Sequence, residues 1–412
     1  MGLYISPHLR SVRERIQINN EPLSEALFSK YFFDVWDRLS ATGDGSKPVY
    51  FRLLTLVAFH AFLQERVDTA VIECGIGGEY DSTNLFDSPT VTAVTALGID
   101  HVAMLGGTVA EIAWHKAGIF KKGATALTVP QLEPAMEVLR KRAEERGTDL
   151  HVVERHPQIA SGEVKLGLAA DFQKSNASLA VAVAAAHLRA LGYEFVPNPS
   201  EIDKQELPLE FRRGLEQVKW PGRCDMRREV GNHIVWFLDG GHTLESVEVA
   251  GRWFAEEAQT LQHSNASDRH RARRSRVLIF NQQTRDAVGL ARALFTTLST
   301  VLGAKPFTHV IFTTNVTFKD AGYKPDLVAI NNSAEEVQAL KVQKELAAVW
   351  AELDPAADIK VTPTIEDAVN EARVTARQAN TREVNEELLV FITGSLHLVG
   401  GALEILESDG IK

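Results

Sequence analysis

From Leu23 to Leu39 the apolar side chains recur at the three- and four-residue spacing that lines one face of a helix, and Leu53 to Leu63 repeats the pattern. The period then changes. Thr69 to Cys74 and Thr90 to Leu97 are short β-branched or apolar runs ending in glycine-containing turns, as buried parallel strands do. Thr108 with Glu111 three residues on forms a capping box that opens a helix toward Ile119, and Ala124 to Val129 and His151 to Val153 read as further strands. An alanine-rich helix over Asp171 to Leu191 follows, then a polar, proline-containing loop from Val196 to Pro208.

Near Trp220 the alternation restarts. Strands are predicted at Ile234 to Leu238, Val277 to Asn281, His309 to Thr314 and Leu388 to Thr393, separated by helical patterns such as Ser246 to Leu261 and Glu335 to Leu353. The fold class is therefore α/β, with two doubly wound, mostly parallel-sheet domains over 1–217 and 218–412.

The 412 residues are 45% hydrophobic, enough to bury cores for two or three domains. No apolar run approaches the length of a membrane span, so none is expected. A net charge of -10 argues against non-specific nucleic-acid binding and requires any anion site to be local. The basic end of the polar stretch His263 to Arg276 accordingly reads as a solvated loop. Two cysteines, Cys74 and Cys224, make no disulfide framework and read as unpaired thiols of a reducing compartment. A cytoplasmic protein is expected, with a mitochondrial form if a leader precedes Met1.

In an open parallel sheet ligands bind beyond the carboxyl ends of the strands, so the polar residues there carry the chemistry. Glu73 closes one strand and is followed by Gly75, Gly77 and Gly78, then Asp81, Thr83 and Asn84. Asp100 and His101 follow the next strand. A carboxylate and an imidazole on neighbouring strand ends suit a divalent cation that keeps water and phosphate as its other ligands. Lys116 on the capped helix offers a charge for phosphate. Asp239, Gly240, Gly241 and His242 lie between a strand and a helix opening near Thr243, so their amides and the helix dipole are expected to face an anion. Each feature singly is as readily structural, and spacing alone stops at a two-domain α/β enzyme with an anion or nucleotide cleft.

The wording of the sequence goes further. Ser6-Pro7-His8-Leu9, Arg13-Glu14-Arg15-Ile16, the block Glu73 to Gly78 with Asp81 to Asn84, Leu97 to His101, Lys116 to Phe120, Trp220 to Arg223, Asp239 to His242 and Gly394 to His397 follow in order. Together they resemble the folylpolyglutamate synthases of the Mur ligase superfamily, from Ser6 to about Leu406. The resemblance implies an ATP-dependent ligase that adds L-glutamate to the γ-carboxylate of a reduced folate or its polyglutamates through an acyl phosphate. Residues 1–217 become the Mur ligase-like ATP- and folate-binding domain, and 218–412 the Rossmann-like glutamate ligase domain. It implies Mg²⁺ on Ser6, Glu73 and His101, a carbamylated Lys116, and ATP contacts from Arg223, Asp239 and His242. Lys116, His101 and Arg223 are then the catalytic set. Arg15, Asp81, Ser395 and His397 are implied for folate and glutamate, and a monovalent cation and a monomeric state complete the expectation.

Two departures from the family stand out. A strand, a glycine-rich phosphate-binding loop and a helix are expected before Ser6-Pro7-His8-Leu9, and only five residues stand there, so at least one βα unit is expected to be missing from the front. Gly43 to Lys47 does not replace it, since no strand precedes it and Pro48 follows. Where the family favours a glycine-containing turn, this chain reads Gln282-Gln283-Thr284-Arg285-Asp286. Dihydrofolate synthase or another Mur-type amide ligase is one alternative, and a non-catalytic folate-binding protein or inactive fragment is the other.

Overall fold

The computed structural model describes residues 1–41, 47–168, 170–264, 275–283, 285–319, 339–380 and 387–411. Residues 43–46 of the Gly43 to Lys47 stretch, most of the polar loop 263–276, Thr284 and the start predicted for the helix at 335 lie outside them. The chain divides into two compact units, Met1–Val218 and Lys219–Lys412.

The first unit carries two sheets. β1 (Gly2–Tyr4), β2 (Ile16–Ile18), β3 (Glu21–Pro22) and β4 (Ala70–Ile72) run in the order β3-β2-β1-β4. β1 is parallel to β4 and antiparallel to β2. β5 (Val91–Val94), β6 (Thr125–Thr128) and β7 (Leu150–Val152) form a separate parallel sheet. The helices are α1 (Glu25–Ala41), α2 (Tyr50–Gln64), α3 (Val102–Leu105), α4 (Val109–Lys116), α5 (Glu133–Arg146), α6 (Pro157–Ala160), α7 (Gln173–Ala190) and α8 (Leu209–Gln217). Both halves of the Thr108 capping box are made: Glu111 N–H donates to Thr108 Oγ1 at 3.2 Å and Thr108 N–H to Glu111 Oε2 at 3.0 Å. α5 ends where Gly147 takes a φ of 65°.

The single sheet expected for this unit is thus divided, and the division leaves two open edges. Among the described residues β4 pairs with β1 alone and β5 with β6 alone. Parallel strands are ordinarily covered on both sides, yet Val71 in β4 is 48% exposed and Thr92 Oγ1 in β5 is buried with no hydrogen-bond partner. The two edges start together. The His187 ring on α7 bonds Thr69 Oγ1 at 3.1 Å, just before β4, and Thr90 Oγ1 at 2.7 Å, just before β5.

The second unit holds one six-stranded sheet ordered β12-β11-β10-β13-β9-β8. Its strands are β8 (Asp225–Glu229), β9 (Ile234–Asp239), β10 (Arg276–Phe280), β11 (His309–Phe312), β12 (Asp358–Val361) and β13 (Leu388–Thr393). All pairings are parallel except β8 with β9. The helices are α9 (Leu244–Ser264), α10 (Ala287–Leu302), α11 (Lys341–Leu353), α12 (Ile365–Asn380) and α13 (Leu396–Ser408). β9, β10 and β13 are buried at every residue, which is why they read as unbroken apolar runs. The core between sheet and α9 is aromatic, with Phe254 stacked on Phe391 at 4.7 Å and edge-on to Phe237 at 5.1 Å. The order reverses between β10 and β13, the position at which such sheets bind ligands.

Candidate active site

In the first unit the β1–β4 pairing carries on past both strands. Glu73 N–H donates to Tyr4 O at 2.9 Å and Ser6 N–H donates to Glu73 Oε2 at 2.8 Å, so the parallel register delivers Ser6 onto the Glu73 carboxylate. The following segment folds on its own side chains. Glu14 accepts from the amides of Leu9 at 2.8 Å and Ser11 at 3.0 Å, while Arg15 Nε donates to His8 Nδ1 at 2.9 Å. Arg15 is 9% exposed.

The glycine-rich loop after β4 is built for close approach. A Cβ on Gly78 would stand 3.0 Å from the carbonyls of His115 and Lys116, so the loop lies against the carboxyl end of α4. Lys116, the last residue of that helix, is thereby set beside the loop, near enough to Cys74 to act on its thiol electrostatically. Asp81 braces the loop from within, its carboxylate accepting from the amides of Ile76 and Thr83, both at 2.9 Å, and from Thr83 Oγ1 at 2.7 Å. Glu79 accepts from Arg146 at 2.7 Å and pairs closely with Arg142, whose guanidinium lies over the Trp114 ring at 4.6 Å. His101 takes a left-handed φ of 52° at the start of α3, and its ring stands 3.8 Å from Asp100 Oδ2. The structure therefore makes two pairs, Ser6 with Glu73 and Asp100 with His101. No cluster of three or more His, Cys, Asp or Glu residues with metal-holding geometry occurs among the described residues.

In the second unit Asp239 ends β9 almost completely buried. Its Oδ2 accepts from the Cys224 amide at 2.9 Å and thiol at 3.4 Å, and its Oδ1 from the Gly241 amide at 2.9 Å. Burial holds the carboxyl above its ordinary range, and the nearby Arg223 guanidinium opposes that rise. Burial, then the charge of Asp239, pushes the Cys224 thiol up, so it stays protonated as a donor. The Arg223 guanidinium lies over Gly240, 2.9 Å from where a Cβ would be.

The expectation that the amides of this turn face an anion is corrected. The Gly240 amide donates to Gly222 O at 3.0 Å and the Gly241 amide to Asp239 Oδ1. The amides of His242 and Thr243 both donate to Ser246 Oγ at 2.9 Å. These four amides are taken internally, two by the Gly222 carbonyl and the Asp239 carboxylate and two by a serine that reaches back over the helix start. The turn presents side chains instead: the His242 ring, with Nδ1 2.9 Å from Gly240 O, and Arg223.

The β13–α13 elbow differs. Ser395 precedes the first turn of α13 without a side-chain bond to its amides, and it is 8% exposed. Burial holds the His397 imidazole below its ordinary pKa, so the ring is neutral near pH 7. Thr393, unremarked in the sequence, is fully buried with its hydroxyl unpartnered and lies in register with Asp239. Cys224 and Glu79 were equally silent there. A thiol in a sequence with two cysteines shows no partner, and a glutamate six residues after Glu73 shows no sign that arginines 63 and 67 positions later will meet it.

Residues 222–405 match the family described as dihydrofolate synthetase, C-terminal domain. The folylpolyglutamate synthase of Neurospora crassa is 46% identical over 99% of this chain and 75% of that protein. The probable folylpolyglutamate synthase of Schizosaccharomyces pombe is 45% identical over 99% of this chain and 76% of that protein. Among solved structures, Mycobacterium tuberculosis folylpolyglutamate synthase complexed with ADP and AMPPCP superimposes with a TM-score of 0.69 at 26% identity, covering 98% of this chain and 84% of that one. This chain belongs to the folylpolyglutamate synthase family.

Proposed function

We propose that the chain is an ATP-dependent ligase that joins L-glutamate to the γ-carboxylate of a reduced folate or its polyglutamates. The observation that carries the reading is the relationship at 46% identity over 99% of the chain. Within each unit, several motif residues, among them Glu73, Asp239 and Ser395, also lie at or just past strand carboxyl ends, where an α/β sheet binds ligands. ATP and Mg²⁺ supply the activation, turning a poorly electrophilic carboxylate into an acyl phosphate that the glutamate amine attacks.

The donor set suits Mg²⁺: a strand-end carboxylate on Glu73, the Ser6 hydroxyl and the His101 imidazole, with water and phosphate for the rest. Lys116, carbamylated, adds a negative group beside the same loop. Arg223 neutralises phosphate charge, and Asp239 and His242 orient the nucleotide. Ser395 and His397 take substrate carboxylates at the uncapped start of α13. Arg15 and Asp81 act through their loops, since the hydrogen bonds of both side chains hold local structure.

No Gly-Lys dipeptide occurs in the 412 residues, so the usual amide-and-lysine cradle for the β- and γ-phosphates comes from outside them. The open edges of β4 and β5 give such an element a place: one more parallel strand would pair with both and continue into a phosphate-binding loop. The test is glutamate incorporation coupled to ADP release, using a version of the chain extended upstream by such a strand, loop and helix. Tetrahydrofolate is expected to serve as acceptor. Preference for dihydropteroate would instead support the dihydrofolate synthase alternative.

A further inference from the structure

We propose that Gln282 is a positioning residue for the substrate-binding elbow at Ser395 and His397, fixing the Gly394–Ser395 peptide from the neighbouring strand. The inference rests on the reading of Ser395 and His397 as substrate residues. Gln282 follows β10 at the point where the strand order reverses, and it is 3% exposed. Its Nε2 donates to Gly394 O at 2.9 Å, and its Oε1 accepts from the Gln283 amide at 2.9 Å. The side-chain amide is thus oriented at one end and holds the elbow with the other.

Gly394 needs holding. Its φ of 103° lies where glycine is favoured, and a Cβ there would come within 2.6 Å of Asn281 O, so the position is closed to other residues. Glycine also leaves the peptide after it free to rotate, and that peptide leads into Ser395 and the first turn of α13. One bond restrains the peptide on each side of Gly394. The Gly394 amide donates to Gly241 O at 3.1 Å, tying the elbow to the Asp239 turn. The bond from Gln282 restrains the carbonyl, and it is the side-chain member of the pair.

The experiment compares Gln282→Leu with Ser395→Ala by two readouts. Amide hydrogen exchange of the 412-residue protein is expected to rise about tenfold in Gln282→Leu across 394–398 while β9 and β10 keep their protection, as loss of one modest hydrogen bond predicts. Steady-state kinetics in the upstream-extended version is expected to show KM for glutamate raised about tenfold, with KM for ATP within about twofold of the parent. Ser395→Ala is expected to raise the same KM. If Ser395→Ala alters glutamate use and Gln282→Leu changes neither exchange nor KM, the positioning role is overturned while the elbow's function stands. If Ser395→Ala leaves glutamate use unchanged, the reading of the elbow itself fails. Equal rises in all three substrate KM values for Gln282→Leu would mark a general structural role and overturn the proposal.

Discussion

Glu73 and Glu79 sit six residues apart in one loop, and replacing Glu79 separates architecture from chemistry. Glu79 has a side chain only 17% exposed and is paired with Arg142, 9% exposed, and Arg146, 34% exposed. Breaking a buried pair from one side costs roughly 3 to 5 kcal/mol because a charge is left uncompensated. Glu145, 3.1 Å from Arg142 Nη1 but 45% exposed, returns a small part of that, as a surface partner does. Glu79→Ala is therefore expected to cost the first unit about 3 kcal/mol. Glu79→Gln keeps an acceptor and is expected to cost about half as much, the difference being the charge assistance. Urea unfolding followed by fluorescence of a variant keeping Trp114 as its one tryptophan reads this, since Arg142 lies over that ring. The cost should persist in 1 M salt, which screens surface pairs far more than buried ones. Adding Arg142→Met should recover at least half of the loss, because the stranded charge is gone. A loss below about 0.5 kcal/mol, within the range of ordinary surface substitutions, or one that vanishes in salt, would refute the assignment of Glu79 to the framework.

Glu73→Gln should behave oppositely, with little change in unfolding midpoint and loss of glutamate ligation by at least about 10²-fold, checked by labelled-glutamate incorporation. Gly394→Ala is expected to cost the second unit more than about 1 kcal/mol, because its φ and the Asn281 carbonyl both oppose a Cβ; chemical denaturation checks it. His397 has a folded pKa below its unfolded value, so the unfolded chain binds the proton more readily. Stability is therefore lost as pH falls through about 6.5 toward the depressed folded pKa, and His397→Gln should shallow that fall in an unfolding series from pH 8 to 5.

The long elements were legible because their periods were clean. The alanine-rich helix, the Thr108 capping box and the fully buried strands β9, β10 and β13 all carry single-residue-type signals. β1, β2 and β3 were not, being only three, three and two residues long, with β1 held by pairing to the distant β4. β8 reads Asp-Met-Arg-Arg-Glu and looks like a loop; its charges are satisfied across the fold, with Arg227 meeting Glu407 at 2.8 Å and Glu229 meeting Arg373 at 3.0 Å. β12 and α12 went unread for want of a strong apolar run. At the site, the motif wording named Ser6 and Glu73, which the structure bonds to each other, but gave no sign that Cys224 would meet Asp239. The turn after β9 was misjudged because nothing in Gly240-Gly241-His242 announces that Gly222, Asp239 and Ser246 will take its amides.

The most direct test of the account is a comparison of folate-dependent ligation by residues 1–412 alone and by the version extended upstream with a strand, phosphate-binding loop and helix. Losing one preorganised donor to a transition-state charge costs about 10² to 10³ in rate. On the proposal that the cradle is supplied from outside them, residues 1–412 are expected to release ADP at least about 10³-fold more slowly than the extended version. Comparable rates from the two proteins would show that these residues hold the phosphates unaided, and would contradict the proposed place of an added strand between β4 and β5.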